Sequence, residues 1–87
     1  MAHFYFHSIS DAVAIDEEGM DLPDLAAAIE RARREVRVLA AEEVLTRGRL
    51  MLHHRIEIAG EHGKVVAVVR VGDAVEACTD DANNNQI

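Results

Sequence analysis

Residues 25–48, LAAAIERARREVRVLAAEEVLTRG, decide the fold. Within them Leu25, Ala28, Ile29, Ala32, Val36, Leu39 and Ala40 recur at steps of three and four, which places them on one stripe of an α-helix. Gly48 is the natural stop. Upstream, Asp21 reads as the N-cap, Pro23 sits where a missing amide N–H does no harm, and Asp24 adds negative charge to the first turn, so the helix is predicted to begin near Leu22. Glu43 and Arg47 continue the stripe four residues apart and read as an ion pair where the helix leaves the core. Ala27, Val38 and Leu45 form a second, weaker apolar line on the far side, flanked by Arg31, Arg34 and Glu42. They are either a small contact seam or solitary surface apolars.

Strand patterns flank this helix. His3 to Ile9 alternates, with Phe4 and Phe6 on one face and His3, Tyr5 and His7 on the other. Ser10-Asp11 can turn the chain so that residues 12–15 pair back as a short second strand, before Asp16-Glu17-Glu18-Gly19 breaks the pattern. After the helix, Leu50, Leu52, Ile56 and Ile58 alternate with Met51, His53, Arg55 and Glu57, predicting a third strand over 50–59. Gly60-Glu61-His62-Gly63 has the length and glycines of a hairpin loop, and residues 64–71 form the fourth strand. There Val65, Ala67, Val69 and Val71 face one way and Val66 and Val68 the other. The reading is α+β, β-β-α-β-β: a four-stranded antiparallel sheet with one long helix on one face, a single domain over 1–77 and a disordered polar tail over 78–87.

Composition limits what such a domain can do. In 87 residues, 43 are apolar, but 14 of these are Ala and 10 Val, and the aromatics number three, so a thin core invites burial against a second subunit. Because one helix covers only one face of the sheet, the Val66–Val68 face also asks for a cover, which a partner subunit can supply. The net charge of −7 repels a phosphate backbone and makes nucleic acid an improbable partner. Charge is unevenly spread: residues 1–30 hold seven acids and no Lys or Arg, while 31–55 hold seven Arg against three Glu. The longest apolar runs are five residues, too short for a membrane span, and MAHFYFHSIS does not fit a secretory signal. The lone Cys78 excludes an intrachain disulfide, and the set suits a reducing cytoplasm.

The order of these pieces resembles a known family. HFYFH, then Asp16-Glu17-Glu18-Gly19, then Leu22-Pro23-Asp24-Leu25-Ala26-Ala27-Ala28, then Gly63 before a Val-rich strand ending in Asp73-Ala74-Val75, is similar over residues 3–76 to a family of small uncharacterised bacterial proteins, common in alphaproteobacteria and classed as a domain of unknown function. The resemblance implies this architecture and a bacterial origin, and brings no activity, cofactor or catalytic residue. The first half also resembles HicB-type antitoxins, in which a hairpin leads through an acidic, Gly-containing turn and a Leu-Pro-Asp-Leu stretch into an Ala- and Glu-rich helix. That likeness implies an inhibitor whose acidic face binds a basic toxin.

The residues themselves offer little catalytic chemistry. His3 and His7 stand about 13 Å apart along one strand, too far to share an ion. Only adjacency of the first and third strands could bring His3 or His7 beside His53, with Glu57 near. The outer face would then gather Tyr5, His7, His53 and Arg55, an acid, base and cation set that supports a minor metal-binding or enzymatic role. The favoured reading of Tyr5, His7, His53, Arg55, Val66 and Val68 is an interface or ligand face, with no catalytic residue, metal or cofactor assigned. The acids around Gly19 lack the alternation of a calcium loop, and there is no Gly-rich phosphate loop, HExxH or Gly-x-Ser-x-Gly. The expected function is a noncatalytic interaction or regulatory module, a homodimer with a possible protein partner.

Overall fold

The structure, a computed structural model, describes residues 1–79. The expected disordered tail lies almost wholly outside them. Five strands and one long helix form an α+β domain: β1 (Ala2–Ile9), β2 (Val13–Ala14), β3 (Met20–Leu22), α1 (Leu25–Arg47), β4 (Arg55–Ala59), β5 (Val65–Arg70) and a four-residue helical turn, α2 (Val71–Ala74). The sheet is antiparallel in the order β2-β1-β4-β5, and β3 pairs with the other half of the β1 edge that β2 occupies. Residues 13–22 are in effect one interrupted edge strand. Its middle is replaced by the Asp16 carboxylate, which accepts the Phe6 amide N–H at 3.0 Å where a strand carbonyl would otherwise stand.

The helix packs as its periodicity predicts. Ala28, Ala32, Val36 and Ala40 are buried against Phe4, Phe6, Ile56, Ile58, Val69 and Val71, with Ile29 and Leu39 at the margin. Alanines on the helix let it lie close to the sheet, and the sheet supplies most of the volume. At its C-terminal end Gly48 takes a left-handed conformation (φ 68°) and its amide donates to the Val44 carbonyl at 2.8 Å, closing the last turn. At the N-terminal end the expected cap is corrected. Asp24, in extended conformation, accepts from the Ala27 amide, and the helix begins at Leu25. The Asp21 carboxylate is engaged by His3 instead, and Asp21 belongs to β3.

Three boundaries differ from the sequence pattern for physical reasons. The third long strand starts at Arg55 rather than at residue 50, because its neighbours end there: Arg55 pairs with Ile9 on one side and Arg70 on the other. Residues upstream of it turn, with the His54 amide bonded to the Met51 carbonyl, so Leu50 and Leu52 stay exposed despite their alternation with Ile56 and Ile58. Strand β5 ends at Arg70, and Val71 opens α2, tied to the turn through Val71 N–H to the His54 carbonyl at 2.8 Å. Lastly, the β4–β5 register shifts between Ile58 and Ala59, leaving Val66 as the extra residue of a bulge and exposing both Val65 and Val66.

Candidate functional site

The outer face of the sheet is built by β1, β4 and β5. The adjacency of β1 and β4 sets His7 directly across from Glu57, Tyr5 across from Ala59 and Ile9 across from Arg55, while Val68 lies across from Glu57 on the other side. Tyr5, His7, Arg55, Glu57 and Val68 therefore share this face, each half-buried, with Val66 45% exposed at its bulged end. Two of its polar contacts are internal. Arg55 Nε donates to Glu57 Oε2 at 3.0 Å, and His7 Nδ1 accepts the Asp16 amide at 3.1 Å, a geometry that fixes the proton on Nε2. His53 does not join them. It lies exposed in the turn before β4, its ring edge-on to that of His54 at 4.9 Å, so the expected meeting of His7 and His53 is corrected by the later start of the strand. Among the described residues, no group of three or more His, Cys, Asp or Glu is placed to hold a metal ion.

Asp16 organises the acidic turn beside this face. Besides Phe6 N–H, its carboxylate accepts the amides of Glu18 (3.1 Å) and Gly19 (3.0 Å). Burial pushes its pKa up, but the Gly19, Phe6 and Glu18 amides outweigh that and hold it below the ordinary carboxylate value. Asp16→Ala should cost about 1–3 kcal/mol, since three amides lose their acceptor, and urea denaturation would show it. A loss below about 0.5 kcal/mol would contradict this role.

His3 closes the turn from the other side, with Nδ1 2.6 Å from Asp21 Oδ1 and Nε2 2.8 Å from the Glu18 carbonyl. Both partners are acceptors, so only the imidazolium satisfies both. Asp21 first, then the Glu18 carbonyl, raise the His3 pKa above 6.5. A raised folded-state value means that the stabilisation is fully present below pH ~6.5 and fades as pH climbs through the folded pKa. An NMR titration of His3 should give a value above 6.5 that falls in Asp21→Asn; an unchanged value in the variant would refute the pairing.

A second polar cluster, not anticipated as a unit, sits at the far end of α1. Asp11 lies 2.8 Å from Arg49, 3.4 Å from Arg47 and 3.5 Å from Nε2 of His54, while Glu43 joins Arg49 and, at 4.0 Å, the Arg47 expected to pair with it. His54 is 1% exposed and its Nε2 makes no hydrogen bond within the described residues. The His54 ring and Arg49 hold the Asp11 pKa below its ordinary value, against the upward push of burial. Asp11 and Arg49 are 38 residues apart, so only the turn around Met51–His54 reveals the cluster.

With this geometry in hand, comparison with known families is decisive for membership. The sequence profile described as "Domain of unknown function (DUF6894)" matches residues 3–72. The chain belongs to the DUF6894 family. No curated protein and no solved structure matches it. The matched span of the DUF6894 domain runs from the second residue of β1 into α2, so it takes in all of the sheet but Ala2, the long helix and both polar clusters. Among the described residues, no helix is long and apolar enough to cross a membrane.

Proposed function

We propose that this DUF6894 chain is a noncatalytic interaction or regulatory module that acts as a homodimer in the bacterial cytoplasm. The observation that carries this reading is the apolar surface left uncovered around α1. Val38 is 58% exposed and Leu45 86%, with Val44, Leu50 and Leu52 also exposed, in a domain whose helix fills its core largely with alanines. Exposed apolar residues in a thin-cored domain favour association, because burying them against a partner adds hydrophobic stabilisation that the single chain lacks. The outer sheet face, where Arg55 pairs with Glu57 and His7 with the Asp16 amide, is the surface available to a protein partner. A single cysteine suits a reducing compartment.

The test is the solution mass of the purified chain by light scattering across a dilution series. The reading predicts twice 9.6 kDa at high concentration, falling toward 9.6 kDa on dilution. A mass of 9.6 kDa throughout would overturn the homodimer. A second reading, an antitoxin-like inhibitor of a basic toxin, draws support from the acidic turn, where Asp16, Glu17, Glu18, Asp21 and Asp24 follow closely in a chain of net charge −7. It predicts a salt-sensitive complex with a small basic protein encoded beside this chain, and the absence of such a neighbour would end it.

A further inference from the structure

The side of α1 turned away from the sheet carries a pattern of its own. Ala27, Arg31, Arg34, Val38, Ala41 and Leu45 follow one another at steps of four and three, forming a stripe opposite the buried Ala28, Ala32, Val36 and Ala40. Val38 lies near the middle of the stripe, followed toward the C-terminal end by the small Ala41 and then Leu45. Arg34 lies four residues before Val38 and Glu42 four residues after it; both are exposed, and neither forms an ion pair among the described residues. Arg31 is already held by Glu35 at 2.8 Å, whereas Arg34 on the stripe and Glu42 beside it stand at equal steps on either side of Val38 without such a partner among the described residues. Two shallow grooves flank Val38, one lined by Ser8, Glu35, Leu39 and Glu42, the other by Arg31, Arg34 and Glu35.

We infer that a second copy of this chain docks here, α1 against α1, antiparallel about a two-fold axis at Val38. The inference rests on the homodimer reading above and names its surface. The charges select both occupant and direction. An antiparallel pair centred on Val38 sets residue 34 of each copy level with residue 42 of the other, so the one axis forms two Arg34–Glu42 pairs. A parallel pair would set Arg34 beside Arg34 and Glu42 beside Glu42, like charges in contact. The same antiparallel register lays each Leu45 over the Arg31 turn of the other copy, and each Val38 meets a surface that is grooved on both sides. The result is a sheet–helix–helix–sheet sandwich, which covers the exposed side of α1 and leaves both outer sheet faces free.

The experiment is a charge exchange, read as the dimer dissociation constant by sedimentation equilibrium. Arg34→Glu and Glu42→Arg should each weaken the dimer at least tenfold, because each sets like charges together twice. Arg34→Glu combined with Glu42→Arg should restore it to within about threefold of the wild type, since the exchanged pairs are again opposite in sign. Circular dichroism spectra that superimpose on the wild type would show that the single variants fold, as expected for exposed residues, while a melting temperature lowered at dimer-forming concentrations would accompany the weaker association. The control is Val66→Lys with Val68→Lys, which should leave the dimer intact. Dimer loss in that control, single variants as tight as the wild type, or failure of the double variant to recover would each overturn the α1 surface while the homodimer reading stands. A monomeric wild type would overturn the homodimer reading itself.

Discussion

Replacing Ile58 with alanine is expected to lower the free energy of unfolding by about 2–5 kcal/mol. Ile58 is fully buried at the middle of β4, with Phe6 paired to it on one side and Ala67 on the other. The helix above it contributes alanines and one valine to the buried layer, so few neighbouring atoms can move in to fill the space. The lost transfer energy and the residual cavity therefore add. Small domains sit toward the low end of the ~5–15 kcal/mol that natural domains possess, so the variant should be substantially unfolded at 37 °C. Urea denaturation followed by circular dichroism measures it; a loss below 1 kcal/mol would mean that the sheet and helix do not meet at Ile58 as described.

Gly19→Ala is expected to cost about 1–3 kcal/mol and to loosen the whole acidic turn. Gly19 has φ 66°, in the left-handed region where a side chain is strained, and an added Cβ would stand 2.5 Å from the Phe4 carbonyl and 2.6 Å from His3 Nε2. The His3 ring can swing aside only by releasing the Glu18 carbonyl, and the Phe4 carbonyl belongs to a paired strand. Amide hydrogen exchange should therefore rise at Phe6, Glu18 and Gly19 relative to the α1 core. Gly63→Ala is the informative comparison: it also has positive φ (82°), but a Cβ there meets nothing within 4 Å, so its cost should be confined to backbone strain. Equal losses in the two variants would remove the packing part of the explanation.

Much of the fold was legible because its signals are local and periodic. The α1 stripe, the Gly48 stop, the alternation of Phe4 and Phe6, and that of Ile56 and Ile58 each follow from one element's own geometry. Strand β3 was not legible, since three residues, Met20–Leu22, have no period and pair with β1 only because Asp16 turns the chain at Gly19. The cap at Asp24 was masked by Asp21, an equally good capper by type that His3 holds from 18 residues away. Leu50 and Leu52 misled because alternation extends beyond the last strand partner, and sequence period cannot register where a neighbour stops. The outer face shows the same division. Tyr5, His7, Arg55 and Val68 follow strand alternation onto one side, while His53 left the set because the strand begins at Arg55, two residues beyond it. The Asp11, Glu43, Arg47, Arg49 and His54 cluster needed three separate segments to converge, and only its Glu43–Arg47 edge carries a helical spacing.

The most direct measurement is site-specific cross-linking with Cys78, which is exposed, changed to serine as background. A single cysteine at Val38, treated with a bismaleimide spanning about 8–10 Å, should give a covalent dimer in high yield, because a residue at the two-fold axis faces its own copy at helix-packing distance. A cysteine at Leu45 should not, since two copies of residue 45 would lie about 20 Å apart along antiparallel helices. A cysteine at Val68 should stay monomeric. Cross-linking at Val68 with none at Val38 would contradict the account and place the interface on the outer face of the sheet.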